Sequence, residues 1–291
     1  MSTPVMITGA VGQLGYELQR LCPEGTAVLA VDIDQLDLTD AVAVDAFITA
    51  HAPSVIINCA AYTAVDRAEE QPAIARAVNV EAAAYVARAA GNTGARVIQI
   101  STDFVFGGAS ARPWRPDDPT SPESVYGVTK RDGERAVLDT LGTHGLVIRT
   151  AWLYSTHGNN FVKTMLRLMR ERTDVRVIAD QVGTPTWARS LAETIWSAVQ
   201  TPAASGVLHW TDAGVASWYD FAVAIQEEAL SRGLLERPVP VHAIATSDYP
   251  TPARRPAYSV LDKSETTRML GVTPIHWRNN LRLMLDELAH A

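Results

Sequence analysis

The segment TGAVGQLG, residues 8–15, decides the fold of this 291-residue chain. It follows a short apolar run, Pro4–Thr8, and opens a helical pattern that extends from Gly12 to Leu21. Glycines at such a junction allow a tight turn and let the backbone approach a pyrophosphate, which the helix N-terminus then faces. The segment therefore predicts a dinucleotide site between the first strand and the first helix, around Gly9, Gly12 and Gly15.

Short apolar runs alternate with helical patterns through the first half of the chain. The apolar runs are Pro4–Thr8, Ala27–Val31, Val55–Asn58, Arg96–Ile100 and Leu146–Arg149. The helical patterns are Gly12–Leu21, Ala41–Ala50, Pro72–Ala90 and Val125–Thr140. Because short buried strands separated by helices form parallel sheets, this alternation predicts an α/β fold with a doubly wound parallel sheet of the Rossmann type.

The pattern changes after about residue 155 and predicts a smaller domain of mixed α/β structure. Its helical patterns are Phe161–Glu171, Leu191–Gln200, Trp218–Ser231 and Arg278–Leu288, and its short strands are Val175–Ile178, Val207–His209 and Val239–Ala243. We predict a dinucleotide-binding domain over residues 1–155 and a substrate domain that occupies most of residues 156–291. Segments at about 180–215 are expected to return to the first domain and extend its sheet.

Composition excludes several classes of function. The formal net charge is −7, so the chain lacks the basic footprint of a nucleic-acid-binding protein. Its longest apolar runs are too short to span a membrane, and the strand that starts at Pro4 leaves no room for a signal peptide. The two cysteines, Cys22 and Cys59, provide neither a disulfide framework nor metal-site spacing. We expect a cytoplasmic protein that binds no nucleic acid, membrane or metal.

A second pattern, YGVTK at residues 126–130, places Tyr126 and Lys130 on one face of a predicted helix. A phenol is a weak acid with a reference pKa of about 10, and a nearby ammonium group favours the phenolate. Such a pair can exchange a proton with a substrate near neutral pH. The same spacing also arises by chance on solvated helices, so its meaning depends on the other motifs.

Polar or small residues follow the next three predicted strands. Asp32 closes the second strand, where an acid either caps a helix or hydrogen-bonds an adenosine ribose and disfavours a 2′-phosphate. Small residues after the third strand, Ala60 and Ala61, let a cofactor lie against the backbone. Thr102 and Asp103 follow the fourth strand, where a hydroxyl can donate to a substrate carbonyl oxygen. Because ligands bind at the carboxyl ends of such strands, these segments predict one shared cleft.

These motifs resemble the extended short-chain dehydrogenase/reductase superfamily, in which the GxxGxxG spacing of residues 9–15 is typical. More narrowly, the chain resembles the dTDP-4-dehydrorhamnose reductase family over nearly its whole length. The superfamily resemblance lies in residues 9–15 and 126–130. The narrower one lies mainly in residues 149–154 and 180–186, and residues 58–66, 101–106, 160–162 and 254–256 complete it.

The resemblance implies which residues form the site. Thr102, Tyr126 and Lys130 would be the catalytic residues. The implied residues for NADPH or NADH are Gly9, Gly12, Gln13, Leu14, Gly15, Asp32, Asp37, Leu38, Ala60, Ala61, Tyr62, Thr63, Tyr126 and Lys130. The implied substrate residues are Thr102, Asp103, Trp152, Asn160, Lys163, Arg254 and Arg255. The two arginines also suit a diphosphate chemically, because guanidinium forks match its oxygens.

The reaction that the resemblance implies is NAD(P)H-dependent reduction of the 4-keto group of dTDP-4-dehydro-L-rhamnose to dTDP-L-rhamnose. Tyr126 would act as general acid, Thr102 would donate to the carbonyl oxygen, and Lys130 would hold the nicotinamide ribose and lower the Tyr126 pKa. Another dTDP-4-keto-6-deoxysugar 4-ketoreductase, such as a dihydrostreptose-type enzyme, is an alternative. A non-catalytic regulatory subunit is a further one, which the retained Tyr126–Lys130 pair disfavours.

Two positions depart from the family pattern. Phe104 stands where the family usually has a tyrosine, which bears on the choice of sugar. Glu17 and Glu287 match glutamates that bridge a magnesium-linked dimer in some members, but Arg189 stands where a further acid is expected. Because a cation there opposes a divalent metal, we predict no metal-bridged dimer, and a monomer and a homodimer both stay open.

Overall fold

The structure is a computed structural model that describes residues 3–290. Its strands are β1 (Val5–Thr8), β2 (Val28–Val31), β3 (Val55–Asn58), β4 (Arg96–Thr102), β5 (Gly145–Thr150), β6 (Leu153–Tyr154), β7 (Val175–Ile178), β8 (Val182–Gly183), β9 (Thr186–Trp187), β10 (Gly206–His209), β11 (Ala216–Ser217) and β12 (Val241–Ile244). Its α-helices are α1 (Gln13–Arg20), α2 (Ala41–His51), α3 (Val65–Glu70), α4 (Pro72–Arg76), α5 (Ala82–Thr93), α6 (Val125–Leu141), α7 (Phe161–Glu171), α8 (Ala188–Val199), α9 (Trp218–Leu230), α10 (Ser264–Leu270) and α11 (Trp277–Ala289).

Six strands form one parallel sheet in the order β2-β1-β3-β4-β5-β10. The strand order reverses between β1 and β3, which creates a crevice at the carboxyl ends of these strands. The predicted α/β fold with a doubly wound parallel sheet is confirmed. Strand β10 pairs with β5, with Val207 beside Val147, so one strand of the second half belongs to the central sheet. The domain boundaries themselves stay a prediction.

Apolar strands bury both faces of the sheet. Ile57 of β3 points to one face, where it packs in a cluster with Leu18 of α1 and Ile195 of α8. Its neighbour Ile56 points to the other face, into a cluster formed with α2, α5 and α6. Successive side chains of a strand point in opposite directions, which explains why these strands read as continuous apolar runs.

The predicted helix Pro72–Ala90 extends to Thr93 and contains a π-helical turn at Ala77–Glu81. A π-helical turn adds a residue to one turn of a helix, and such turns are frequent at functional sites. The short helices α3 and α10 had no counterpart in the sequence analysis, because helices of six or seven residues carry too little apolar periodicity.

The second half of the chain has its own apolar cluster. Helices α7, α9 and α11 pack around Met165, Phe221 and Leu281, together with the parallel pair β7–β12. The predicted strand Val239–Ala243 is displaced by two residues at its start, since β12 begins at Val241. No helix in residues 3–290 is long and apolar enough to cross a membrane.

A buried ion pair joins helix α6 to strand β5. The guanidinium of Arg149 donates to both carboxylate oxygens of Glu134, at 2.8 and 2.7 Å. Their side chains are only 5% and 4% exposed, so water compensates neither charge if its partner is removed. The pair therefore fixes α6, which carries Tyr126 and Lys130, against the central sheet.

We predict that Arg149→Met lowers the free energy of unfolding by about 3–5 kcal/mol, because it leaves the Glu134 carboxylate buried without a partner. Arg167→Met is the matched control, since Arg167 pairs with Glu171 across an exposed helical turn. That loss should be below about 0.5 kcal/mol. Urea denaturation of both variants measures the difference. A loss below about 1 kcal/mol for Arg149→Met would contradict the role given to this pair.

Candidate active site

A cleft of about 900 Å³ opens at the carboxyl ends of the sheet strands. Most of the predicted site residues line it. They are Gly9, Gly12, Gln13, Leu14, Gly15, Asp32, Asp37, Leu38, Ala60, Ala61, Thr63, Thr102, Asp103, Tyr126, Lys130, Trp152 and Arg255. The fold thus brings segments from five strand ends to one concave surface, although their assigned roles stay predictions.

The glycine loop and helix α1 form one end of the cleft. Gly9 has a φ of +63°, and a Cβ atom there would lie 2.8 Å from the backbone nitrogen of Ala60. Helix α1 begins after Gly12 without a side-chain cap, so its first N–H groups lack a capping acceptor. A cradle with uncapped helical N–H groups fits the pyrophosphate of a dinucleotide.

Asp32 is tied to the glycine loop. Its carboxylate accepts hydrogen bonds from the backbone N–H of Val11 and of Ile33, both at 2.9 Å. Among residues 3–290, only Lys130 and Arg255 are basic residues that line the cleft. The Asp32 end therefore offers hydrogen-bond acceptors for ribose hydroxyls, and within the described part of the chain no lining cation there would pair with a 2′-phosphate.

Tyr62, a predicted cofactor residue, points elsewhere. Its hydroxyl donates to Gln71 at 2.9 Å, and its ring packs in a small apolar cluster behind Tyr126. Its backbone N–H donates to Asn79, whose amide also donates to Thr129 on α6. Tyr62 thus supports the cleft wall without lining the cleft, and its assignment to the cofactor stays a prediction.

Tyr126 lies near the start of α6, where Ser124 caps the helix by accepting from the N–H of Gly127. The phenol is 9% exposed, and burial raises its pKa to about 12, although the Thr102 hydroxyl acts in the opposite direction. Burial is the largest effect on this pKa and the Asp103 charge raises it further, so the expected lowering by Lys130 does not set it. The Lys130 ammonium donates to the carbonyl of Ile100 at 2.6 Å.

Lys130 is buried one helical turn after Tyr126. Burial lowers its pKa to about 8, while the charge of Glu134, one further turn along α6, favours the ammonium form. At neutral pH both groups therefore carry their protons: the phenol is neutral, and the lysine is mostly charged but close enough to its pKa to titrate as the pH rises.

Thr102 and Asp103 form a second buried pair. The Thr102 hydroxyl donates to the Asp103 carboxylate at 2.9 Å, and it accepts from the N–H of Phe104 at 3.2 Å. Burial raises the pKa of Asp103 to about 6, close to the neutral range. The Thr102 hydroxyl, which the sequence analysis expects to donate to a substrate carbonyl oxygen, donates to Asp103 in this structure.

Two stacked indole rings form another part of the cleft wall. The rings of Trp152 and Trp218 are 3.6 Å apart and nearly parallel, at 5°. Trp152 has a φ of +48°, which is strained for a residue with a side chain. Phe104 lines the same region and meets the Tyr126 ring edge-on at 5.5 Å.

Four predicted substrate residues have other partners. Arg255 lines the cleft, but it holds Asp66 through two nitrogens, at 3.0 and 2.8 Å. Arg254 pairs with Glu123 at 3.1 Å and is largely exposed. Lys163 donates to the carbonyl of Thr156. Asn160 caps α7 and donates to Gln13, and so it meets the glycine loop rather than the open cleft.

The predicted absence of a metal-bridged dimer concerns Glu17, Glu287 and Arg189. Glu287 accepts hydrogen bonds from Arg189 at 2.6 Å and from Arg20 at 2.8 Å. Glu17 is fully buried and accepts from Ser155, and burial raises its pKa. In residues 3–290 no group of three or more His, Cys, Asp or Glu side chains is placed to hold a metal ion.

The sequence analysis missed several residues of the cleft. Trp218 lines it from the first turn of α9, and Cys59 lines it from the loop after β3. Asn79 does not line it but connects its wall to α6. The capping box at Ser217 and Asp220 marks the start of α9 in the sequence, but no local signal shows that Trp218 faces the cleft.

Comparison with known proteins gives consistent matches. The family model described as RmlD substrate binding domain matches residues 3–290. A dTDP-4-dehydrorhamnose reductase from Streptomyces griseus is 44% identical over 94% of this chain and 90% of that protein. A probable dTDP-4,6-dihydroxy-2-methyloxan-3-one 4-ketoreductase from Streptomyces antibioticus is 42% identical over 98% of this chain and 96% of that protein.

A solved structure shares the whole architecture. It is the dTDP-4-dehydrorhamnose reductase from Bacillus anthracis in complex with NADP, with a TM-score of 0.92 and 36% identity. The match covers 99% of this chain and all of that one. The resemblance found in the sequence is therefore confirmed, and this chain belongs to the RmlD substrate-binding-domain family.

Proposed function

We propose that this chain reduces the 4-keto group of dTDP-4-dehydro-L-rhamnose with NADPH or NADH and releases dTDP-L-rhamnose. One observation carries the proposal: a buried, protonated Tyr126 lies beside Thr102 in the same cleft as the glycine loop. Membership of the family and the names of its relatives support the choice of substrate.

The residues of the cleft fit a nicotinamide dinucleotide. The glycine loop and the start of α1 would hold the pyrophosphate, and Asp32 would accept from the adenosine ribose. Ala60 and Ala61 leave room beside the backbone, and Lys130 would hold the nicotinamide ribose. When bound, the reduced nicotinamide supplies the hydride for the substrate carbonyl carbon.

Tyr126 is suited to protonate the carbonyl oxygen as negative charge develops there. Because its pKa lies near 12, the phenol carries its proton throughout the neutral range, as a general acid for reduction must. Loss of this proton creates a buried phenolate. The Thr102 hydroxyl can then change its hydrogen-bond acceptor from Asp103 to the phenolate. This bond stabilises the negative charge without a water molecule.

Lys130 provides the positive charge of the site. Its ammonium is anchored on the Ile100 carbonyl and lies on the same face of α6 as Tyr126. Two effects act on its protonation: burial opposes the charged form, and Glu134 favours it. The charged form should stabilise the negative charge that passes from the substrate oxygen to Tyr126.

Reduction of a different dTDP-4-keto-6-deoxysugar is the second candidate. The relative from Streptomyces antibioticus is named as a probable 4-ketoreductase of another sugar, and Phe104 offers no hydroxyl beside Tyr126. Assays of the purified chain with several dTDP-4-keto-6-deoxysugars, each with NADPH and NADH, separate the two candidates. We expect the highest kcat/KM with dTDP-4-dehydro-L-rhamnose. A higher value with another sugar would replace the proposed substrate.

We predict that Tyr126→Phe lowers kcat by about 100- to 10,000-fold, because the proton donor is lost. Binding of the cofactor should change little, since the ring and its packing remain. Tyr85→Phe is the matched control, because Tyr85 lies on α5, packs against the apolar cluster of α2, α5 and α6, and does not line the cleft. Steady-state kinetics and cofactor titration check both variants. Turnover by Tyr126→Phe close to that of the wild type would rule out this proton donor.

We predict that kcat/KM for reduction falls as the pH rises through about 8, because Lys130 loses its proton there. Tyr126, with a pKa near 12, stays protonated over this range and does not cause the decline. The pH profile of the wild type should therefore be compared with that of Lys130→Arg, whose guanidinium does not titrate. The decline should move to higher pH in this variant. An unchanged profile would show that another group titrates.

A further inference from the structure

We infer that residues 155–160, here called the strap, set the affinity for the cofactor by holding the glycine loop from outside the cleft. The strap leaves strand β6 and enters helix α7, so it belongs to the second half of the chain. It nevertheless contacts the glycine loop and helix α1 of the first half. The inference deepens the proposed function and rests on it only for the identity of the cofactor.

The first contact is made by His157. Its Nε2 atom lies 2.9 Å from the carbonyl oxygen of Val11. A carbonyl only accepts, so Nε2 carries the hydrogen of this bond. The imidazole also stacks on the ring of Tyr16, with centroids 4.4 Å apart and an angle of 9° between the planes. The stack limits rotation of the imidazole and keeps Nε2 directed at the loop.

Hydrogen bonds therefore hold the backbone of Val11 on both sides. Its N–H donates to Asp32, and its carbonyl accepts from His157. Its side chain is 70% exposed, so packing of the side chain contributes little to holding this residue. Two hydrogen bonds from opposite sides, one to the acid at the end of β2 and one to the strap, therefore determine the conformation of the loop at this point.

Asn160 makes the second contact. Its Oδ1 atom accepts from the N–H of Lys163 at 3.1 Å and so caps α7, while its Nδ2 atom donates to Gln13 at 3.0 Å and to the carbonyl of Ser155 at 2.7 Å. Gln13 is the first residue of α1 and lines the cleft. The amide thus connects the beginnings of two helices, α1 and α7.

The first residue of the strap, Ser155, is buried. Ser155 is inaccessible to solvent and donates to the equally buried Glu17 of α1 at 2.8 Å. Neither His157 nor Asn160 lines the cleft, so both act through Val11 and Gln13 as positioning residues. A glycine-rich loop loses more conformational entropy on ordering than other sequences, and contacts that order it beforehand reduce this cost of cofactor binding.

The test is calorimetric titration of the full chain with NADPH and with NADH. His157→Phe keeps the stack on Tyr16 but removes the bond to Val11, and Asn160→Ser keeps the cap on α7 but removes the donor to Gln13. Each should raise the Kd by about three- to tenfold, the effect of one net hydrogen bond. His157→Phe should also raise the KM for the cofactor while it leaves the KM for the sugar and kcat nearly unchanged.

His157→Gln and His51→Phe are the comparison variants. Glutamine keeps a donor for the Val11 carbonyl, and so its Kd should stay near that of the wild type. His51 also bonds a carbonyl, that of Phe47, and stacks on an aromatic ring, but it lies on α2 away from the cleft. Its replacement should not change the Kd.

Three results would overturn the inference. They are wild-type affinity in both His157→Phe and Asn160→Ser, equal losses in His157→Phe and His157→Gln, or a KM for the sugar that rises as much as that for the cofactor. The titration needs no sugar, so it separates this inference from the proposed reaction. Strap-dependent cofactor binding without reduction of any dTDP-4-keto sugar would contradict only the proposed reaction.

Discussion

The close packing of helix α6 against its neighbours is the constraint on which the site depends. At Gly133 a Cβ atom would lie 2.1 Å from the backbone oxygen of Asn79, so only glycine allows this approach. The buried pair of Glu134 and Arg149 holds the same helix against β5. Because Tyr126, Lys130 and Glu134 follow one another at intervals of four residues, they share the face that this packing buries.

Burial then sets the pKa values of the side chains at the site. It raises the pKa of Tyr126 and of Asp103 and lowers that of Lys130, and in each case it is the largest effect. The phenol consequently keeps its proton throughout the neutral range, and fixed neighbouring groups, rather than water, contact the other charged side chains. Thr102 contributes a hydroxyl between Asp103 and Tyr126, and Glu134 supports the ammonium of Lys130. The same low polarity that makes the groups hard to ionise makes their mutual interactions strong.

The parts of the fold that depend on local sequence were predictable. The glycine loop, the apolar strands and the Tyr126–Lys130 spacing each follow from neighbouring residues, and the order of the strand ends then brings them together. Contacts between residues that are distant in the sequence were not predictable. Asp66, which is 189 residues away in the chain, accepts hydrogen bonds from Arg255, whose assignment to a diphosphate stays a prediction. Asn160 was expected at the substrate and instead joins Gln13, and Trp218 was missed because nothing in α9 reveals that it stacks on Trp152. No sequence pattern encodes such pairings, since they arise only when the two halves of the chain pack.

The central claim is that hydride passes within this cleft to the carbonyl carbon beside Tyr126. Reduction with NADPH or NADH that carries deuterium at the transferred position tests it most directly, with the product examined by NMR. The account predicts one deuterium at C4 of the sugar, with the adjacent carbons unlabelled. Deuterium at another carbon, or oxidation of the cofactor without label in the sugar, would contradict it.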